Sequence, residues 1–259
     1  MSAEKDFVAG AGSLYIAELD ADGLPLGFRY LGDSESFSLS LTTEDLEAWT
    51  GDDQVRQKVI SVATSVERMG ALLLNEPVEE NVGLLIFGDA GELEQAATPV
   101  TDEAVTSSAV AGLTYSLGVT IANPAGAKDI TSVTLDNGDA TAYTEGEDYE
   151  LDPARGTFRV IPGGAMVGET VEANYTPTAG TYQQVTSRED DNPEFFLKYI
   201  ENARSGRNRD IYCPRVKIRP DGDFDLKSAD SHQQIPLQID ALVPTNGMPV
   251  MQVIRRDAE

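Results

Sequence analysis

The chain has 259 residues, 41% of them apolar and 24% charged, which is the make-up of a globular protein able to bury a core without disulfide staples. Its 44 acids against 19 bases give a formal charge of −25. That excludes a protein that grips nucleic acid by neutralising phosphates, and argues against binding to anionic membranes. One cysteine, Cys213, and one histidine, His232, leave no intrachain disulfide, no cysteine-based zinc site and no chemistry that needs two imidazoles.

No run of about 18 apolar residues is present, so no membrane-spanning helix is expected. The N-terminal residues show no basic start followed by an apolar run, which reads as the absence of a secretory signal. Length allows one large domain or two small ones.

In chain order, Ser13 to Glu18 is a short strand followed by a turn at Asp20-Ala-Asp22-Gly23. Phe37, Leu39 and Leu41 alternate with Ser36, Ser38 and Ser40, the period of a half-buried strand. Val59 to Met69 continues the pattern, with Ile60, Val62 and Val66 expected toward the core and Ser61, Ala63, Ser65 and Glu67 away from it. Between them, Thr42 to Lys58 reads as a long, acidic hairpin connection carrying Trp49. Asn75-Glu76-Pro77 marks the start of a helix over 77–87, with Glu79 and Glu80 at its positive end and Gly88 closing it. Val78, Val82, Leu85 and Ile86 fall on one helix face.

Glu92 to Ser108, rich in Ala, Thr and Glu, reads as a linker. Tyr149 to Leu151, Thr157 to Ile161 and Val171 to Tyr175 are expected strands around glycine-rich turns, and Thr176 to Tyr182 a second linker. Phe195 to Ala203 pairs with Asp210 to Arg219 as a hairpin. In Gln234 to Val243, Ile235, Leu237, Ile239 and Ala241 oppose Gln234, Gln238 and Asp240, and Val250 to Arg255 is the last strand. The expected organisation is therefore a mainly β domain with one flanking helix, in two parts (1–100 and 182–259), interrupted by a small inserted β domain at 101–181.

Motifs for chemistry are weak. Asp20/Asp22 and Asp221/Asp223/Asp225 lack the ligand ladder of a calcium loop and read as turns. No phosphate-binding glycine loop and no Gly-x-Ser-x-Gly elbow occurs. His232 reads as a surface residue and Cys213 as a small buried hydrophobe. No enzyme activity, metal or cofactor is expected. The basic residues Arg204, Arg207, Arg209, Arg215, Lys217 and Arg219 could meet phosphate or the acidic segments of a second copy, and the net charge favours the copy. Trp49 is either a docking element or folded onto its own domain.

The runs Gly12-Ser-Leu-Tyr-Ile-Ala-Glu-Leu-Asp20, Gly27-Phe-Arg-Tyr-Leu-Gly32-Asp and Glu35-Ser-Phe-Ser-Leu-Ser-Leu41 are followed by the acidic loop, the Val59–Met69 strand, a helix with Glu80-Asn81 and an end at Phe87-Gly88. In that order they resemble the tail tube proteins of long-tailed, non-contractile bacteriophages, and Phe195 to Arg256 fits the closing part. The inserted region, with Tyr143-Thr-Glu-Gly-Glu-Asp-Tyr-Glu-Leu-Asp152 and Arg155-Gly-Thr-Phe-Arg-Val-Ile-Pro-Gly-Gly164, resembles a decorating β module of some of these proteins.

The resemblance implies a β-sandwich or incomplete barrel with a flanking helix. Six copies would close into a ring, and rings would stack into a hollow tube in the virion tail, made in the host cytoplasm. Partners would be further copies of itself, a tape-measure protein, and tail-tip and tail-terminator proteins. DNA would pass without specific binding, and no membrane would be engaged. On that reading Ser36, Ser38, Ser61, Ser65, Glu67, Gln238 and Asp240 line the channel, and Phe37 and Ile60 must lie off it. The loop 42–58, with Trp49, Asp52, Asp53 and Arg56, would stack rings, while Arg207 and Arg209 would meet acids of a neighbour. The inserted module would project outward. Other readings are a tail terminator, the inner tube of a contractile tail, or a β-sandwich binding module.

Overall fold

A computed structural model describes residues 10–51, 55–139, 141–187, 193–203, 208–227, 229 and 232–256. The chain divides into two compact units, one formed by 1–91 and 185–259 and the other by 92–184. It is mainly β with one α-helix among the described residues.

The strands in chain order are β1 (Gly12–Glu18), β2 (Arg29–Tyr30), β3 (Ser34–Trp49) and β4 (Lys58–Leu74), then helix α1 (Glu79–Ile86) and β5 (Gly88–Gln95). The second unit holds β6 (Val100–Thr106), β7 (Thr114–Ser116), β8 (Ile130–Asp136), β9 (Tyr149–Asp152), β10 (Thr157–Val160) and β11 (Val171–Pro177). The chain returns through β12 (Gly180–Ser187), β13 (Glu194–Glu201), β14 (Arg209–Pro220), β15 (Ile235–Ala241) and β16 (Gln252–Arg255).

The first unit is built on an eight-stranded antiparallel sheet in the order β2-β1-β13-β14-β15-β4-β3, with β16 beside β14. Its core joins Leu14 and Ile16 of β1, Leu72 and Leu74 of β4, Leu197, Val216 and Ile218, and Ile235, Leu237 and Ile239 of β15. The alternation expected for Gln234 to Val243 is present, because Ile235, Leu237 and Ile239 are buried while Gln238 and Asp240 turn the other way. Cys213 is buried, and burial pushes its thiol up to about 11.

Several expectations are corrected. Thr42 to Trp49 is strand rather than connection: β3 and β4 pair continuously from Ser34–Leu74 to Trp49–Lys58, so the turn shrinks to 50–57. Thr50 closes it, its N–H donating to the Gln57 carbonyl at 2.8 Å. Ile60, Val62 and Val66 are exposed rather than in the core, because β15 covers only Met69–Leu74 of β4 and the ribbon runs on beyond the sheet.

The helix begins at Glu79, not Pro77, with Val78 as a cap that offers no side-chain hydrogen bond. Asn75 is instead drawn to Asp33, donating from its amide and backbone N–H groups. The buried helix face is Asn81 and Leu84, with Val82 and Leu85 packed beside it; Val78 and Ile86 are exposed. The helix stops at Phe87, which takes a left-handed φ of 52°. Gly88 then opens β5, where a Cβ would stand 2.7 Å from the Thr186 carbonyl of β12, so the paired strands approach more closely than a side chain permits.

The second unit also departs from the expected boundaries. The supposed linkers hold strands: β5 and β6 occupy most of 92–108, and β11 and β12 most of 176–182. Two three-stranded sheets, β7-β10-β9 and β6-β11-β8, enclose a core of Leu117, Leu135, Phe158, Val160, Met166 and Val171. Gly156, at φ 63°, passes the Ala127 carbonyl so closely that a Cβ would stand 1.8 Å from it, which only glycine avoids.

Candidate functional site

Strand β3 ends the sheet order. Its inner edge pairs with β4 along nearly its whole length, and no described strand pairs with its outer edge. An edge this long is normally blunted by charge or proline. Here Phe37 to Thr43 reads Phe-Ser-Leu-Ser-Leu-Thr-Thr, with no charge and no proline, in a form suited to accept another strand.

Cross-strand partners share a face, so the register assigns the sides of the sheet. One row runs Ser38, Ala71, Gln238 and Arg219; the next runs Ser40, Met69, Asp240 and Lys217. Ser36 sits beside Leu73, Thr42 opposite Glu67, and Glu44 opposite Ser65. Ser36, Ser38, Ser65, Glu67, Gln238 and Asp240 are thereby on one face. Phe37 is on the other, where it packs against the core. Gln238 donates to Asp240 at 2.9 Å, and Arg219 Nε lies 3.3 Å from the other Asp240 oxygen. The face thus carries small and polar side chains beside Leu73 and Met69, and of its charges Arg219 and Asp240 are paired with each other.

Ser61 departs from that set. Between Glu44 and Asp45 the register shifts, and Thr64 is the extra residue of a bulge in β4. The Thr64 hydroxyl donates to the Glu44 carbonyl at 3.0 Å and holds the bulge. Beyond it the alternation inverts: Ser61 opposes Glu47 and donates to the Asp45 carboxylate at 2.9 Å, whereas Ile60 opposes Ala48 on the side of Ser65, so the expectation that Ile60 lies off the face of the channel residues is overturned there. Period-2 reading does not anticipate an inserted residue.

The outer ribbon carries Leu41, Leu46, Val59, Ile60, Val62 and Val66, all exposed. Trp49 is 50% exposed, so it does not fold into its own core; Lys58 Nζ stands 5.8 Å from its ring centroid and pairs with Glu47. Arg56 is exposed nearby. Asp52, Asp53 and Arg207 lie outside the described residues. Arg209 is exposed, and its backbone N–H donates to Glu201 at 2.7 Å.

The weak chemical motifs resolve locally. Asp20 Oδ1 accepts the N–H groups of Asp22 and Leu24, forming a turn. His232 is exposed. Among the described residues no cluster of His, Cys, Asp and Glu could hold a metal ion, and no helix is long and apolar enough to cross a membrane.

Two features escaped sequence reasoning. One is an exposed aromatic edge where Phe28 meets Phe196 and Tyr30 meets Tyr15, with Lys198 over Phe28 and Tyr15. The other is a cavity of about 370 Å³ between α1 and β1, lined in part by Leu26, Arg29, Glu80, Phe87 and Phe195. Each gathers residues too far apart in sequence for any local pattern to register.

A family model described as "Protein of unknown function UCP028589" matches residues 7–247. The chain belongs to that family. No curated protein matches the sequence.

Proposed function

We propose that this chain is a structural subunit that closes into hexameric rings and stacks into a hollow tube, the tail tube of a long-tailed, non-contractile bacteriophage. One observation carries the reading. The sheet ends in a long strand, β3, whose outer edge no described strand pairs, and its rows present small and polar side chains on a common face.

An open edge is tolerated when an adjacent copy completes it, and a head-to-tail contact repeated around an axis closes a ring. Continued around that ring, the face of Ser36, Ser38, Gln238 and Asp240 becomes a channel wall over the stretch that β15 covers; the ribbon beyond the Thr64 bulge, where Ile60 shares the side of Ser65, is not part of it. Such a wall offers DNA few cationic anchors, since Arg219 is engaged by Asp240 and Lys217 stands opposite Glu194. A strongly negative chain keeps the genome moving, because each phosphate contact would slow it. The remaining sequence-derived roles follow: passage for a tape-measure protein and later the genome, contacts with tail-tip and terminator proteins, a β-sandwich-like ring wall, and a virion location.

Negative-stain electron microscopy of the purified chain over a concentration series, with and without tail-tip seeds, tests this. Hollow filaments of stacked rings are expected. Monomers under every condition would refute it.

A further inference from the structure

The cavity between α1 and β1 has apolar walls from Leu26, Phe87 and Phe195, and carboxylates at Glu18, Glu80 and Asp89. Its one cation, Arg29, is held in place: Nη1 donates to Asn81 Oδ1 at 2.9 Å and Nη2 to the Glu80 carbonyl at 3.3 Å, and its charge is attracted to the Glu80 and Glu18 carboxylates, leaving three acids to one base around the cavity. The cavity therefore suits a flat apolar group with a positive charge beside it. At about 370 Å³ it is of the size that seats a single large side chain with its near neighbours.

The first unit carries a group of that chemistry at the end of the β3–β4 ribbon. Trp49 is half exposed, with the Lys58 ammonium over its ring and Arg56 close by in sequence. Tryptophan anchors are the commonest hot spots of protein interfaces when they enter a preformed pocket. Beyond the edge of β15 the ribbon runs from Arg68 to Lys58, a reach of about 35 Å at strand rise. Trp49 stands at the tip of the ribbon, beyond the last residues of β4 that β15 covers, whereas the cavity lies against β1 and α1, so knob and seat are on separate parts of one copy. That is the arrangement a head-to-tail contact requires.

We propose that Trp49 of one copy seats in the α1–β1 cavity of a second copy, with Lys58 facing Glu18 and Glu80. The inference rests on the self-assembly reading above and names the contact that carries it. The indole is buried against Leu26, Phe87 and Phe195, and the ammonium, paired with Glu47 in the single copy, gains two further carboxylates.

Trp49 is the chain's only tryptophan, so tryptophan fluorescence reports the surroundings of this residue alone. Assembly of the full chain should shift the emission to the blue and protect it from acrylamide. Trp49→Ala should raise the concentration needed for assembly about thirtyfold, the loss of one hot-spot anchor, with Trp49→Phe between. A chain carrying Lys58→Cys and Glu80→Cys should form a covalent ladder on oxidation, the native Cys213 being buried. Filaments in which Trp49 stays exposed would overturn the contact and leave the tube reading standing. Burial of Trp49 without the ladder would place it in another seat and also overturn the contact. Monomers at every concentration, with seeds present, would overturn both.

Discussion

Asn81 is fully buried and spends every polar atom on unit 1. Its Nδ2 donates to the carbonyls of Leu31, at 2.8 Å, and Glu76, at 3.0 Å, and its Oδ1 accepts from Arg29. Asn81→Ala strands the buried Leu31 carbonyl and takes one partner each from the Glu76 carbonyl and the half-buried Arg29 guanidinium. It should lower the unfolding free energy by about 2–3 kcal/mol, read from the urea midpoint. A second residue-scale device is the ion pair of Arg215 with Glu194, joined Nε to Oε2 at 2.6 Å and Nη2 to Oε1 at 2.8 Å. Hydrogen bonding from Arg215 holds the Glu194 carboxyl below its ordinary value of 4.5. A carboxylate lowered in the folded state adds stability above its unfolded value, and that stability fades as pH falls through the folded one. Arg215→Met should therefore lose about 1 kcal/mol at neutral pH and less once Glu194 is protonated, where only the bond from Nη1 to the Val243 carbonyl is still forfeited. Thermal melts across the acid limb check this.

At the scale of elements, the β3–β4 ribbon is the part that the core does not need. None of its residues beyond Leu72 toward the turn belongs to the buried cluster, and its outer apolar side chains face solvent. Replacing residues 45–64 with Asn-Gly would close the hairpin at the paired Glu44 and Ser65 with a turn suited to the strand twist. The shortened chain should melt within about 0.5 kcal/mol of the parent, as solvent-facing changes do. In sedimentation it should fail to assemble. A shortened chain that still builds tubes would remove the ribbon from the interface.

For the whole molecule, the two units have separate cores, one around β1, β4 and β13–β15, the other around Leu117, Phe158 and Val160. Residues 92–184 should therefore be replaceable by a short Gly-Ser linker between Gly91 and Val185. Calorimetry of the full chain should show two transitions, of which the excised chain keeps one. Assembly should survive the excision. Its loss with unit 1 still folded would mean that the second unit supplies an interface.

The amino-acid sequence by itself determined what depends on neighbours along the chain. The alternation of Ile235, Leu237 and Ile239 set the core face of β15, Asp20 to Gly23 made their turn, and Ser36 and Ser38 shared a face as their spacing required. Only the tertiary structure decided what depends on where strands stop pairing. Ile60 and Val66 have the residue type of a core, yet β15 ends before reaching them, so they stay exposed. Thr64, one residue too many for its partner strand, sends Ser61 and Ser65 to opposite sides. Asn75 left the helix because Asp33, far off in sequence, offered a better partner. The Trp49 knob and its cavity belong to this second kind: each residue is legible alone, and their complementarity exists only once β1, α1 and the ribbon have been placed by packing.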